Sequence, residues 1–157
     1  MTVEDAVHLL RGHTAADFAP GAVFEHGQRK TLTSADHATF TALTMHYNPS
    51  YLDLEHARKL GYREMPVNPL LVFNLVFGIS VEDLSEGGGP FLGVDNLLYG
   101  VPAYAGDTVR ARSIVVSNRL SGKYEQYAIV SWSTEGFNQR DEKLIAFQRT
   151  NLVRRSR

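Results

Sequence analysis

The strongest hydrophobic pattern in this sequence is the stretch Met65 to Ser80, which reads MPVNPLLVFNLVFGIS. Asn68 is a good helix N-cap, and Pro69 suits the first helical position. From Leu70 to Ile79 almost every residue is apolar, and Asn74 is the main polar exception. A helix that is apolar all round must be covered on all sides, and this one is too short to span a bilayer. The pattern therefore predicts a central helix enclosed in the core of a soluble protein.

Downstream of this helix the sequence has the composition and spacing of strands and turns. Four strand candidates follow a glycine-rich connection: Phe91–Tyr99, Thr108–Asn118, Lys123–Phe137 and Leu144–Val153. Successive long antiparallel strands joined by short turns favour a strongly curved sheet. A curved sheet wrapped around one buried helix is the α+β hot-dog fold, which we predict here. The alternative is an ordinary amphipathic helix packed on a sheet in another α+β fold.

Upstream of the central helix the sequence predicts shorter elements. Ala22 to Leu32 alternates imperfectly and predicts a first strand. Thr33 with Asp36 forms a variant of the capping box and starts a helix that should end near Thr44. An Asn-Pro turn then breaks the helix, and Asp53 to Leu60 predicts another short one. We expect a single domain over residues 1–157, of which residues 1–21 form a loose N-terminal arm.

The composition excludes several classes of function. The chain of 157 residues carries 16 Lys and Arg against 17 Asp and Glu, so its charge does not suggest a nucleic-acid partner. It has no cysteine, which excludes disulfides, thiolate metal sites and a cysteine nucleophile. The histidines show no metal-ligand spacing, so we expect no metal. The first residues lack the features of a signal peptide, and no stretch is long enough for a membrane span. We therefore expect a cytoplasmic protein that does not bind membranes.

Three blocks of sequence resemble a known family. They are FTALTMHYNPSYLD at residues 40–53, PVNPLLVFNLVFG at 66–78 and AGDTV at 105–109. Together they are similar to the MaoC-type dehydratase family of hot-dog proteins. The central block and the C-terminal stretch are most similar to its mesaconyl-CoA hydratase branch, also known as β-methylmalyl-CoA dehydratase. The resemblance covers roughly residues 22 to 155.

The resemblance implies a hot-dog homodimer that adds water to acyl-CoA thioesters or removes it from them. The substrate would be an acyl-CoA or an acyl-carrier thioester, and no cofactor is implied beyond the coenzyme A of the substrate. In the family an Asp and a His, in the pattern G-D-x-N-P-x-H, hold the water and move the proton. This sequence has His46 in place of the Asp and Tyr51 in place of the His, and it keeps Asn48 and Pro49.

The start of the central helix also departs from the family pattern. In the family, a His-Gly pair at this position donates a backbone N–H to the thioester oxygen. This sequence has Asn68 followed by Pro69 instead. Proline has no N–H, so the next donor is the N–H of Leu70, in the first helical turn where such groups lack partners.

These residues form a candidate site with exchanged roles. The imidazole of His46 suits general acid–base work near neutral pH, and the phenol of Tyr51 is a donor but a poor base. We therefore predict His46 and Tyr51 as catalytic residues and Asn48, Asn68 and Leu70 as substrate-binding residues. In the alternative, His46 caps the preceding helix near its C-terminus and Tyr51 is a packing residue.

Three functions compete at this point. The first is an acyl-CoA hydratase or dehydratase that acts on a branched or dicarboxylic short-chain acyl group. The second is a hot-dog thioesterase, which activates water with a carboxylate against the thioester carbonyl. The third is a non-catalytic acyl-CoA-binding subunit. For the phosphates of coenzyme A the cationic candidates are Arg110, Arg112, Lys123 and Arg149.

Overall fold

The computed structural model describes residues 12–156, with four helices and six strands in that range. In chain order these elements are β1 (Val23–Glu25), β2 (Lys30–Thr31), α1 (Ser34–Leu43), α2 (Leu54–Lys59), α3 (Pro69–Ile79), α4 (Val81–Leu84), β3 (Phe91–Tyr99), β4 (Thr108–Leu120), β5 (Tyr127–Phe137) and β6 (Lys143–Arg154). There are also two short 3-10 turns, at Ala15–Asp17 and Pro49–Tyr51.

The strands form one antiparallel sheet in the order β1-β4-β5-β6-β3, and β2 pairs with β4 beyond β1. Shifts of register interrupt the pairing of β3 with β6 and of β4 with β5, as strongly bent strands require. Helix α3 packs against this sheet, in contact with β4, β5 and β6. The predicted hot-dog fold is therefore confirmed.

Helix α3 approaches the sheet closely because its inner face is narrow. Val72, Val76 and Ile79 are buried there and pack against the apolar side chains of β4 and β6. The closest approach is at Gly136 of β5, where a Cβ atom would lie 2.4 Å from Val76 Cγ2 and 2.9 Å from Ile145 Cγ2. Any side chain at residue 136 would push the helix away from the sheet.

The outer face of α3 is only partly covered by this chain. Leu70 is 41% exposed, and Leu71, Phe73, Leu75 and Phe77 are half-buried. The described part of this chain therefore covers only one side of a helix whose sequence predicts cover on all sides. A single sheet has one concave face, which leaves the opposite side of the helix to some other surface.

The N-terminal segment is not loose over the part that the structure describes. The arm was expected over residues 1–21, of which residues 1–11 lie outside the described range. Residues 12–21 pack on the sheet. Phe18 is fully buried, with its ring centre 5.0 Å from that of Trp132 in an edge-to-face contact. The sequence did not reveal this packing because its partner lies more than 100 residues away.

A chain of buried hydrogen bonds holds the C-terminal end of the central helix. The Nδ1 atom of His26 lies 2.6 Å from Asp83 Oδ2 in α4, and its Nε2 lies 2.8 Å from Ser113 Oγ. Ser113 in turn shares a hydrogen bond with Thr134 at 2.8 Å and is buried, so it is not an exposed nucleophile. The N–H of His26 still donates to the carbonyl of Ala111 in β4 at 3.2 Å, and the chain leaves the sheet after this residue. The strand predicted over residues 22–32 is therefore split into β1 and β2.

Within residues 12–156 no helix is both long and apolar enough to cross a membrane.

Candidate functional site

The N-terminus of α3 is organised by the side chain of Asn68. The Asn68 Oδ1 atom accepts a hydrogen bond from the N–H of Leu70 at 3.0 Å, and Pro69 takes the first helical position as the sequence predicted. Asn68 is fully buried. Its side chain is therefore both a helix cap and an interior polar group that needs partners for its remaining atoms.

The end of α1 places His46 beside this cap. Thr44 ends the helix, and Met45 follows in the left-handed conformation with φ of 54°. The N–H of Met45 donates to the carbonyl of Ala42 at 3.3 Å, and the N–H of His46 donates to that of Thr41 at 3.1 Å. This pair of bonds is the Schellman motif. It sets the backbone of His46 by local geometry at the helix end.

The structure brings together three of the predicted site residues. The Nδ1 atom of His46 lies 2.8 Å from Asn68 Nδ2. The rings of His46 and Tyr51 meet edge to face, with their centres 5.3 Å apart and an angle of 71° between their planes. The two side chains therefore lie on the same side of the Asn-Pro turn, next to the start of α3.

The other two predicted residues have their polar groups occupied. Asn48 is exposed, and its Oδ1 atom caps the 3-10 turn by accepting from the N–H of Ser50 at 3.0 Å. The N–H of Leu70 is paired with Asn68, so it does not offer the unpaired donor that we expected for a thioester oxygen.

His37 is a residue that the sequence analysis missed. It is buried in α1, and its Nδ1 atom accepts from the backbone N–H of Asn68 at 3.0 Å. Its Nε2 atom lies 2.8 Å from the backbone oxygen of Tyr51 and donates to it. His37 thus joins the helix start to the turn that carries Tyr51. A lone histidine between Asp36 and Ala38 gives no sequence signal of such a role.

A cavity of about 200 Å³ opens beside the start of α3. Its walls combine apolar side chains with three phenols, and in the part of the chain that the structure describes no carboxylate or basic side chain lines it. The lining residues are Tyr51, Tyr62, Pro66, Val67, Pro69, Val72, Tyr99, Gly100, Val101, Pro102, Ala103 and Leu144. The cavity has room for a short acyl group.

The phenols of this cavity are donors at neutral pH. Burial raises the pKa of Tyr51 above its usual value, and the nearby phenol of Tyr62 raises it further. Burial likewise raises the pKa of Tyr99, with a smaller contribution from Tyr51. Because a protonated phenol donates a hydrogen bond, these groups suit an anionic or carbonyl oxygen of a ligand.

The candidates for the phosphates of coenzyme A are not equally placed. Arg149 is fully buried in β6 and cannot reach a ligand at the surface, so the sequence-based suggestion for this residue is wrong. Arg110 pairs with Asp141, and Arg112 pairs with Glu135. Among residues 12–156, no group of three or more His, Cys, Asp or Glu side chains could hold a metal ion.

Comparison with known proteins decides the family. The family model described as mesaconyl-CoA hydratase matches residues 2–157. The chain belongs to the mesaconyl-CoA hydratase family. One similar protein is the mesaconyl-CoA hydratase of Haloarcula hispanica. It is 36% identical over 92% of this chain and 41% of its own length.

Two solved structures place this family member in its fold. A MaoC domain protein dehydratase from Chloroflexus aurantiacus has a TM-score of 0.88 and 30% identity, over 95% of this chain and 42% of the other. A conserved protein of Mycobacterium tuberculosis, Rv0216, described as having a double hot-dog fold, has a TM-score of 0.81 and 19% identity. It is matched over 92% of this chain and 45% of its own. The chain spans about two fifths of the length of the mesaconyl-CoA hydratases and the β-methylmalyl-CoA dehydratase to which it is similar.

Proposed function

We propose that this protein is an acyl-CoA hydratase or dehydratase, which adds water reversibly to the double bond of an enoyl thioester. The observation that carries the proposal is the convergence of His46 and Tyr51 at the start of α3. These residues occupy the two positions at which the family pattern has its acid–base pair. The mesaconyl-CoA hydratase named among the relatives supports the same reaction class.

The cavity supports a short acyl group with a polar end. Its apolar walls suit a chain of four or five carbons, and the phenols of Tyr51, Tyr62 and Tyr99 suit an oxygen acceptor. A branched or dicarboxylic acyl-CoA combines these two features. Coenzyme A enters as part of the substrate, and the proposal requires no other cofactor. An acyl-carrier thioester would present the same acyl group.

The exposed surface supports a homodimer. Strand β3 ends the sheet, and no strand among residues 12–156 pairs with its outer edge. Phe91, Leu92 and Leu98 on β3 are each more than half exposed. A bare apolar edge favours pairing with another strand, and a second copy would also cover the outer face of α3. Leu98→Lys should give a monomer at micromolar concentration, whereas Leu120→Lys, equally exposed on β4, should not. A monomeric wild type would contradict the proposal.

A cytoplasmic location remains our expectation.

A non-catalytic acyl-CoA-binding subunit is the second candidate. What favours it is that the polar groups at the site are donors: the phenols are protonated and the described cavity wall has no carboxylate. Hydration needs an acceptor for a proton of water as well as donors. A thioesterase needs a water-activating carboxylate, and none is present in that wall.

One assay separates the three functions. The purified protein is mixed with crotonyl-CoA, mesaconyl-CoA or 3-hydroxyacyl-CoA, while enoyl absorbance and free thiol are followed together. We expect a change of absorbance without release of thiol, and this activity should be lost in His46→Gln but kept in His56→Gln. Release of thiol would identify a thioesterase. Binding of the ligands without either signal would identify a binding subunit and overturn the hydratase proposal.

A further inference from the structure

The orientation of the Asn68 amide is determined by its neighbours. The backbone N–H of Leu70 can only donate, so the side-chain atom 3.0 Å from it must be the amide oxygen. The other atom of the amide is then its nitrogen, which faces Nδ1 of His46 at 2.8 Å. Since an amide nitrogen can only donate, Nδ1 of His46 must be the acceptor.

This contact determines which nitrogen of His46 carries the hydrogen. With Nδ1 accepting, the neutral imidazole has its proton on Nε2. A second proton on Nδ1 would set two donors against each other. Within residues 12–156 the Nε2 atom has no hydrogen-bond partner, and the ring is only half-buried. His46 therefore presents an unpaired N–H donor next to Tyr51.

The backbone of Asn68 acts on His37 in the same way. The N–H of Asn68 donates to Nδ1 of His37, so Nε2–H of His37 donates to the carbonyl of Tyr51. One residue thus orients both histidines and, through His37, the turn that carries Tyr51. The helix cap, the side chain of His46 and the backbone of Tyr51 thus belong to one hydrogen-bonded unit.

We propose that Asn68 holds His46 in its Nε2–H tautomer, so that His46 serves the acyl thioester as a hydrogen-bond donor and not as a base. This role rests on the proposed function. Neither nitrogen of His46 then has a lone pair free to accept a proton from water, so the acceptor that hydration requires must be a group other than His46. Nε2–H instead replaces the donor that is missing at Pro69 and already paired at Leu70. A donor at the thioester oxygen stabilises the negative charge that develops there.

The tautomer can be measured without substrate. Nitrogen-15 NMR of the full 157-residue chain distinguishes protonated from unprotonated ring nitrogens, and loss of one signal set in His46→Gln assigns His46. We expect Nδ1 of His46 to be unprotonated and Nε2 to be protonated near neutral pH. A proton on Nδ1 in the wild-type protein would overturn the proposal, whether or not the protein is a hydratase.

Asn68→Asp gives a second, independent test. Aspartate is as good an N-cap as asparagine, so one oxygen can keep the bond to Leu70 while the other accepts a hydrogen bond from a protonated Nδ1 of His46. We expect the proton signal to move from Nε2 to Nδ1, and turnover to fall by about 10²-fold because the Nε2–H donor to the transition state is lost. The control is Asn74→Asp, which adds the same charge on an exposed position of α3 and should leave the His46 signals unchanged.

The NMR spectra of the wild type and of Asn68→Asp separate failure of this role from failure of the proposed function. An Asn68→Asp protein that keeps the wild-type tautomer overturns the role of Asn68. If Asn68→Asp does not fold, the wild-type spectrum alone decides. If the tautomer is as expected but no hydration occurs with any thioester, the proposed function fails, and with it the donor role of His46 in catalysis, while its positioning by Asn68 stands.

Discussion

The guanidinium of Arg149 lies over the ring of Phe77, with its central carbon 4.4 Å from the ring centre. The residue is fully buried, and it donates from Nη1 to Ser80 Oγ at 2.8 Å, at the C-terminal end of α3. Its Nε and Nη2 atoms have no partner among the described residues. The aromatic ring and the negative end of the helix dipole favour a cation, yet burial lowers the pKa of Arg149 to about 10.

Replacing this buried charge by a similar apolar volume should not destabilise the protein. We expect Arg149→Met to leave the free energy of unfolding unchanged or to raise it by up to about 3 kcal/mol, since desolvation of the charge is relieved. Arg149→Ala removes the same charge but leaves a cavity, and it should lower stability by about 2–5 kcal/mol. Urea denaturation measures both. Equal losses in the two variants would show that the charge itself stabilises the fold.

Met45 stores backbone strain that glycine would relieve. A residue with a side chain is destabilised by about 1–2 kcal/mol in this left-handed conformation. Glycine avoids that strain but loses more conformational entropy on folding, which offsets about 0.5–1 kcal/mol of the gain. The side chain is 74% exposed, so little packing is lost. We expect Met45→Gly to raise the free energy of unfolding by about 0.5–1 kcal/mol.

Thr44→Gly is the matched control for this change. Thr44 has an ordinary right-handed conformation, with φ of −94°, and its hydroxyl donates to the carbonyl of Phe40 at 2.7 Å. Glycine there should therefore lower stability by at least about 0.5–1 kcal/mol. Urea denaturation midpoints of the two variants should move in opposite directions. If both fall, the conformation of Met45 is not strained.

The stability of α1 should depend on pH through Asp36. Hydrogen bonds from the Thr33 hydroxyl and backbone N–H, with help from Lys30, lower the pKa of Asp36 from 3.8 to about 2. A lowered pKa means that the carboxylate stabilises the folded state above pH 3.8, and that this contribution is lost as pH falls towards about 2. Asp36→Asn should flatten this part of the stability profile, and Thr33→Val should flatten it partly. Denaturant midpoints between pH 2 and 5 test this, and an unchanged slope in Asp36→Asn would count against it.

Activity should depend more on His46 than on Tyr51. On the substrate found by the assay, His46→Ala should lower kcat by about 10²- to 10⁴-fold, the usual effect of losing a general acid–base or donor group. Tyr51→Phe keeps the ring against His46 and should cause a smaller loss if the phenol only orients the substrate. Tyr47→Phe, four residues earlier and 58% exposed, is the control. Full turnover in His46→Ala would show that His46 is structural.

Local signals in the sequence determined most of the element boundaries. The capping box of Thr33 and Asp36 and the Asn68-Pro69 start of α3 appear where they were predicted, and the short helix predicted over residues 53–60 is α2. Each depends on residues two to four apart, whose interactions form whatever the rest of the chain does. The apolar run of α3 and the four later strands likewise predicted the hot-dog fold. The apolar positions in these elements must be buried, so their periodicity shows how the elements can pack.

Tertiary structure alone decided the partners of these elements. The contact of His46 with Asn68 joins residues 22 apart, and the bonds of His37 join two different segments. Periodicity shows which face of an element is buried but not which distant group meets it. For the same reason Phe18 was taken for part of a loose arm and Arg149 for a surface cation. The tautomer of His46 belongs to this second class, because it is set by the hydrogen-bond geometry of a buried amide.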